Sequence, residues 1–188
     1  MRRIILAVAI AATGILGVAV AASTVVATPA AAAKHKAKPK PKKKKKAVAK
    51  LTGNFNSCSV VTQAEAASAI GASVTAGVLG NATVEGGLAC VFYGPSAPTP
   101  TTPNAAQPDT VRVVVVKGSD ALTWYNAFKS KVSAQPITGY GNQAYYDGYA
   151  SLSVLKGDYY LRIAVSPADA PPSLSDEEHL ATAILPKL

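Results

Sequence analysis

Acidic residues are missing from the first fifty positions of this 188-residue chain, and only ten Asp and Glu occur in all. Cysteine and histidine are scarce, at two each, with one tryptophan and one methionine. Each shortage excludes something. No cysteine precedes Cys58, so lipid attachment through an N-terminal cysteine is not expected. Cys58 and Cys90 lie too far apart for a C-x-x-C redox pair. His35 falls in a lysine run and His179 stands alone, which makes no zinc site. No G-x-S-x-G elbow, H-E-x-x-H pair or phosphate-binding glycine loop occurs. Gly139-x-Gly141 is too short for a dinucleotide fingerprint and precedes a strand. Glu65, Asp120, Asp176, Glu177 and Glu178 belong to helix starts, and Asp147 and Asp158 to turns. Only Glu85, Asp109 and Asp169 are left over, thin material for paired-carboxylate glycoside chemistry. No catalytic residue, metal site or cofactor is expected.

What is abundant is lysine, in one place. Residues 34–50 read KHKAKPKPKKKKKAVAK and hold Lys34, Lys36, Lys38, Lys40, Lys42, Lys43, Lys44, Lys45, Lys46 and Lys50. The net charge of +9 divides into +2 before this segment, +10 within it and −3 after it. A global isoelectric point near 9.6 would point to nucleic acid. By segment, the chain is a mildly acidic domain on a polycationic strap.

Residues 1–33 have secretory form. Arg2 and Arg3 precede an uncharged stretch from Ile4 to Val26, and Ala31-x-Ala33 offers a small-residue cleavage site before Lys34. The rival is an uncleaved anchor, since about 20 apolar residues span a bilayer. Residues 34–50 cannot collapse into a core, and Pro39 and Pro41 block a helix, so an extended, disordered linker is expected. It serves either as a solvated spacer or as an electrostatic adhesive for anionic wall polymers or lipid head groups. Its lack of interleaved aromatics and its exported setting exclude physiological nucleic acid.

Residues 51–188 are long enough for one domain with its own core. Cys58 and Cys90 are expected to form one disulfide. Thr62-Gln63-Ala64-Glu65 has capping-box form and starts a helix that stops at Gly71. Strands are expected at Val74–Leu79, Leu88–Tyr93 and Val111–Lys117, with a proline-rich loop at 94–109. A second helix follows Ser119, with Ala121, Trp124, Tyr125, Phe128 and Val132 on its apolar stripe. Asp147-Gly148 and Gly157-Asp158 predict two tight hairpins. Counting from the second pairs Val154 with Leu161, Leu152 with Ile163 and Ser153 with Arg162. A third helix starts at Ser175 with Ser175–Glu178 as capping box. The expected class is α+β, an antiparallel sheet with helices on one face, in the order α-β-β-β-α-β-β-β-α.

Six of the eight tyrosines fall within Tyr140–Tyr160. Cross-strand packing accounts for them simply. The tight-hairpin register directs Tyr146, Tyr149 and Tyr160 away from the apolar face. They form a candidate contact surface for a protein or glycan if nothing covers that side.

The segment from Cys58-Ser59-Val60-Val61-Thr62-Gln63-Ala64-Glu65 through Ile70-Gly71, a second cysteine at Cys90, and Gly139-Tyr140-Gly141-Asn142-Gln143-Ala144 together resemble a family. It is a family of exported actinobacterial proteins of unknown function, many of them classed as lipoproteins. The resemblance implies an envelope-associated α+β domain with one disulfide and brings no known activity. The chain departs by lacking the lipid-attachment cysteine. The expected function is a secreted, envelope-associated, non-enzymatic binding domain. The alternatives are a membrane-anchored sensory ectodomain and a secreted hydrolase with an unfamiliar site.

Overall fold

The computed structural model describes residues 53–98 and 107–188. The leader, the lysine segment and residues 99–106 of the proline-rich stretch lie outside the described residues. After a 3-10 turn at Ser57–Ser59 come α1 (Gln63–Ile70), β1 (Val78–Ala82), β2 (Gly87–Tyr93), β3 (Thr110–Lys117) and α2 (Asp120–Lys129). Then follow β4 (Gln135–Ile137), β5 (Gln143–Tyr146), β6 (Leu152–Lys156), β7 (Tyr159–Ser166) and α3 (Leu174–Ile184). The strands form one sheet in the order β1-β2-β3-β7-β6-β5-β4, antiparallel at every pairing. The α+β class and the antiparallel sheet hold. The expected element order lacked one strand, β4. It is three residues long and carries Pro136, which an edge strand tolerates because one side of its ladder is unpaired.

The helices do not share a face. α1 and α3 pack together over Val111, Val113, Val115, Leu161 and Ile163. α2 places Ala121, Tyr125 and Phe128 on Val116, Leu155 and Tyr160. Adjacent residues of a strand point to opposite sides, so α2 covers the other face. This corrects the one-face arrangement, and β3 shows the cause. Thr110 to Val116 are all buried, because a central strand clad on both sides has no wet face.

Two local signals act as their sequences predict. The Thr62 hydroxyl accepts from the Glu65 N–H at 3.2 Å, and the Glu65 carboxylate accepts from the Thr62 N–H at 2.7 Å. The hairpin at Gly157-Asp158 sets Lys156 opposite Tyr159 and Val154 opposite Leu161, the expected register. Gly157 has φ +57° and Asp158 has no positive φ, which fits a turn of the II′ kind.

Three others differ. β1 begins four residues later than expected. α3 starts at Leu174 after Ser173, with no side-chain cap, and the Ser173 and Ser175 hydroxyls bond each other at 2.8 Å. Asp147-Gly148 does not make a two-residue turn: Tyr146 pairs with Leu152, leaving a five-residue loop. Asp147 builds that loop, its Oδ1 accepting from the N–H groups of Tyr149, Ala150 and Ser151 at 2.8–2.9 Å. A side chain that satisfies three backbone donors outweighs the tight-turn preference of the dipeptide.

The Cys58–Cys90 disulfide is formed, with 5.0 Å between Cα atoms. Beside it the buried Ser57 hydroxyl donates to the Leu88 carbonyl and accepts from the Val115 N–H at 2.9 Å. The segment before α1 is therefore tied to β2 by a covalent bond and to β2 and β3 by hydrogen bonds. Replacing both cysteines by serine is expected to cost about 3–4 kcal/mol for a loop of this length. A urea titration of the oxidised protein and the double variant checks it; equal midpoints would show that the bridge adds nothing.

Candidate functional site

Arg112 and Arg162 each interrupt an otherwise apolar strand. In β3 and β7 they lie diagonally on the face that carries α2, since Arg112 pairs with Ala164 and Arg162 with Val114. Both guanidinia converge on Glu85, from the turn between β1 and β2. Arg112 Nη1 donates to Glu85 Oε1 at 2.7 Å and Nη2 to Oε2 at 2.9 Å. Arg162 Nη1 donates to the same Oε1. Only 1% of Glu85 is exposed. Its position depends on Gly86, at φ +74°: a Cβ there would stand 1.8 Å from the Trp124 ring of α2. The lone tryptophan thus presses directly on the turn that presents Glu85.

From Glu85 the charges continue outward. Arg162 Nε donates to the Ser151 hydroxyl at 2.9 Å, and Nη2 stands 3.6 Å from Asp147 Oδ2. The Ser151 hydroxyl donates to the same Asp147 oxygen. Phe128 of α2 stacks on the Arg162 guanidinium at 3.8 Å. Burial pushes the Glu85 carboxyl upward, but the hydrogen bonds and charges of Arg112 and Arg162 hold it below the usual carboxylate range. Asp147 is also held low: burial opposes, and the Ser151 hydroxyl with three backbone N–H groups prevails.

The outer end of this network floors a cleft of about 320 Å³. Asp147 and Arg162 lie at its base, Ala150, Ala164 and Pro172 form walls, and Tyr149 stands at the edge, 79% exposed. Gln107 also lines it, and its Oε1 is buried with no hydrogen-bond partner.

The three tyrosines offered as a contact surface are not brought together. Tyr160 is fully buried beneath α2, edge-to-face with Tyr125 at 5.8 Å. Tyr146 pairs with Leu152 on the opposite face, where Leu152 packs with α1 and α3. The five-residue loop causes this, because changing the register by one residue sends a side chain to the other face. Only Tyr149 remains outward, its carbonyl accepting from the Tyr146 hydroxyl at 2.7 Å. Lys34 through Lys50 lie outside the described residues.

Of the unassigned acids, Glu85 is the hub above. Asp109 is buried at φ +56°, and its Oδ2 accepts from the Ser96 N–H at 2.6 Å, closing the base of the proline-rich excursion. Asp169 and His179 are exposed. Glu177, assigned to a helix start, instead turns inward and is fully buried. Among the described residues no group of three or more His, Cys, Asp or Glu could hold a metal ion. None of their helices is long and apolar enough to cross a membrane. The signal for the network was present in the sequence: two arginines inside valine- and isoleucine-rich strands demand buried acids as partners. Comparison with protein-family models, with curated proteins and with solved structures finds no match.

Proposed function

We propose that this is an exported, envelope-associated binding protein. The lysine segment 34–50 adheres to phosphate-bearing wall polymers or acidic lipid head groups, and the disulfide-bonded domain makes the specific contact. The observation that carries the reading is the segregation of charge, +10 over residues 34–50 against −3 over the domain that follows. A domain of net negative charge gains nothing from an anionic surface, so attraction resides in the strap. Each lysine near an anionic membrane contributes about 1 kcal/mol, within a Debye length of about 8 Å at physiological salt. The Cys58–Cys90 disulfide suits an oxidising compartment outside the cytosol. The resemblance to exported actinobacterial proteins points the same way.

The experiment is retention on isolated cell envelopes. The share of the protein held by the lysines is expected to leave them between about 0.15 and 1 M NaCl, and a variant lacking residues 34–50 is expected to be retained less at low salt and to lose that salt dependence. Vesicles of acidic lipid and purified anionic wall polymer, tested separately, assign the surface. Retention that survives 1 M NaCl and is unchanged by removing residues 34–50 would refute electrostatic tethering, and mass spectrometry of the N-terminus would then test for an uncleaved leader.

A further inference from the structure

We infer that the cleft floored by Asp147 and Arg162 binds a neutral saccharide of one or two sugar units. This rests on the binding role proposed above and supplies the ligand class for the domain. The cleft is built rather than incidental. Its loop is fixed by Asp147, and its floor by the hydrogen bonds of Arg162 to Glu85 and Ser151. At about 320 Å³ it falls at the small end of ligand pockets, roughly 300–1,000 Å³, which limits the occupant to one or two rings.

Charge decides the chemistry. Arg112 and Arg162 are matched by Glu85 and Asp147, so the floor is neutral as a whole. A phosphate or carboxylate would meet Asp147, and a cation would meet Arg162. A hydroxyl serves both, accepting from Arg162 Nη2 and donating to Asp147 Oδ2. Arg162 Nη2 makes only the 3.6 Å approach to Asp147, too long for a hydrogen bond, so its donors are available. Ala150, Ala164 and Pro172 suit the apolar C–H faces of a pyranose, and Tyr149, 79% exposed, offers a ring for stacking.

The test uses the exported chain with its lysine segment, on immobilised neutral glycans (β-1,4-linked N-acetylglucosamine and glucose oligomers, mannan, galactan and arabinan). It is run in 0.5 M NaCl to screen the lysines. At least one neutral glycan is expected to be retained. Tyr149→Ala should weaken that binding about tenfold, and Ala168→Trp, which fills the cleft from an exposed position, should abolish it. Both variants should keep the parent melting temperature. No neutral glycan retained, retention of anionic glycans alone, or binding unchanged in both variants would overturn the assignment. Envelope retention at low salt reads the lysine segment independently, so either proposal can fail while the other stands.

Discussion

Replacing Glu85 by Ala is expected to cost about 3–5 kcal/mol at neutral pH, a large part of the about 5–15 kcal/mol that holds an ordinary domain folded. Two guanidinia, 3% and 13% exposed, share this one carboxylate. Arginine does not give up its proton, so both charges remain when the acid goes. Glu85→Gln should lose nearly as much, because it keeps the shape and removes the charge. Joint replacement of Glu85 and Arg112 by Met should lose much less than the two single losses combined, since buried charge and counter-charge leave together. Urea unfolding of the singles and the double gives the coupling energy directly. A Glu85→Ala protein within about 1 kcal/mol of the parent would mean that water solvates the guanidinia and that the network is not dry.

The same residues show where the fold was legible. The Thr62–Glu65 box and the Gly157-Asp158 turn are local devices, complete within a few residues, and local chemistry decides them. At Asp147-Gly148 two local devices compete, and an aspartate side chain that accepts three N–H groups prevails over a two-residue turn. The five-residue loop turns Tyr146 to the α1 and α3 face, and α2 buries Tyr160 on the other, so the tyrosine surface does not form. The two-sided layering has a different origin: Val113 to Val116 is an unbroken apolar run, the signature of a strand covered on both sides, with no alternation to mark one face as wet. Glu85 lies in a turn, and nothing within 20 residues of it in sequence reveals its partners. Its role depends on β3 and β7 lying side by side, which becomes known only with the sheet order. The inward turn of Glu177 is equally non-local, since an acid near a helix start ordinarily faces water and the positive end of the helix.

Glu177→Gln is expected to remove a fall in stability that the parent shows between about pH 4.5 and pH 8. Glu177 is fully enclosed beneath α3. Its Oε1 receives only the Val165 N–H at 3.5 Å, and its Oε2 has no hydrogen-bond partner. Burial pushes the carboxyl up to about 8 from 4.5; the Val165 N–H and Arg162 oppose this weakly, while the charges of Asp147 and Asp176 add to it. The sign follows from proton counting. Below pH 4.5 both folded and unfolded chains hold the proton. Between 4.5 and about 8 only the folded chain does, so each pH unit costs about 1.4 kcal/mol, as much as about 5 kcal/mol across the window. Glu85, Asp147 and Glu65 act oppositely, since their folded carboxyls are held below the unfolded values of 4.5, 3.8 and 4.5 and their contributions vanish as the solution turns acid. The parent should therefore be most stable near pH 5, losing stability on both sides. Glu177→Gln keeps the acceptor for Val165 and cannot ionise, so its alkaline limb should be flat up to about pH 8 while its acid limb matches the parent. Denaturation midpoints from pH 3 to pH 9 for both proteins provide the measurement. Parallel curves above pH 5 would mean that Glu177 is ionised in the folded state and that a solvent path or a partner reaches Oε2.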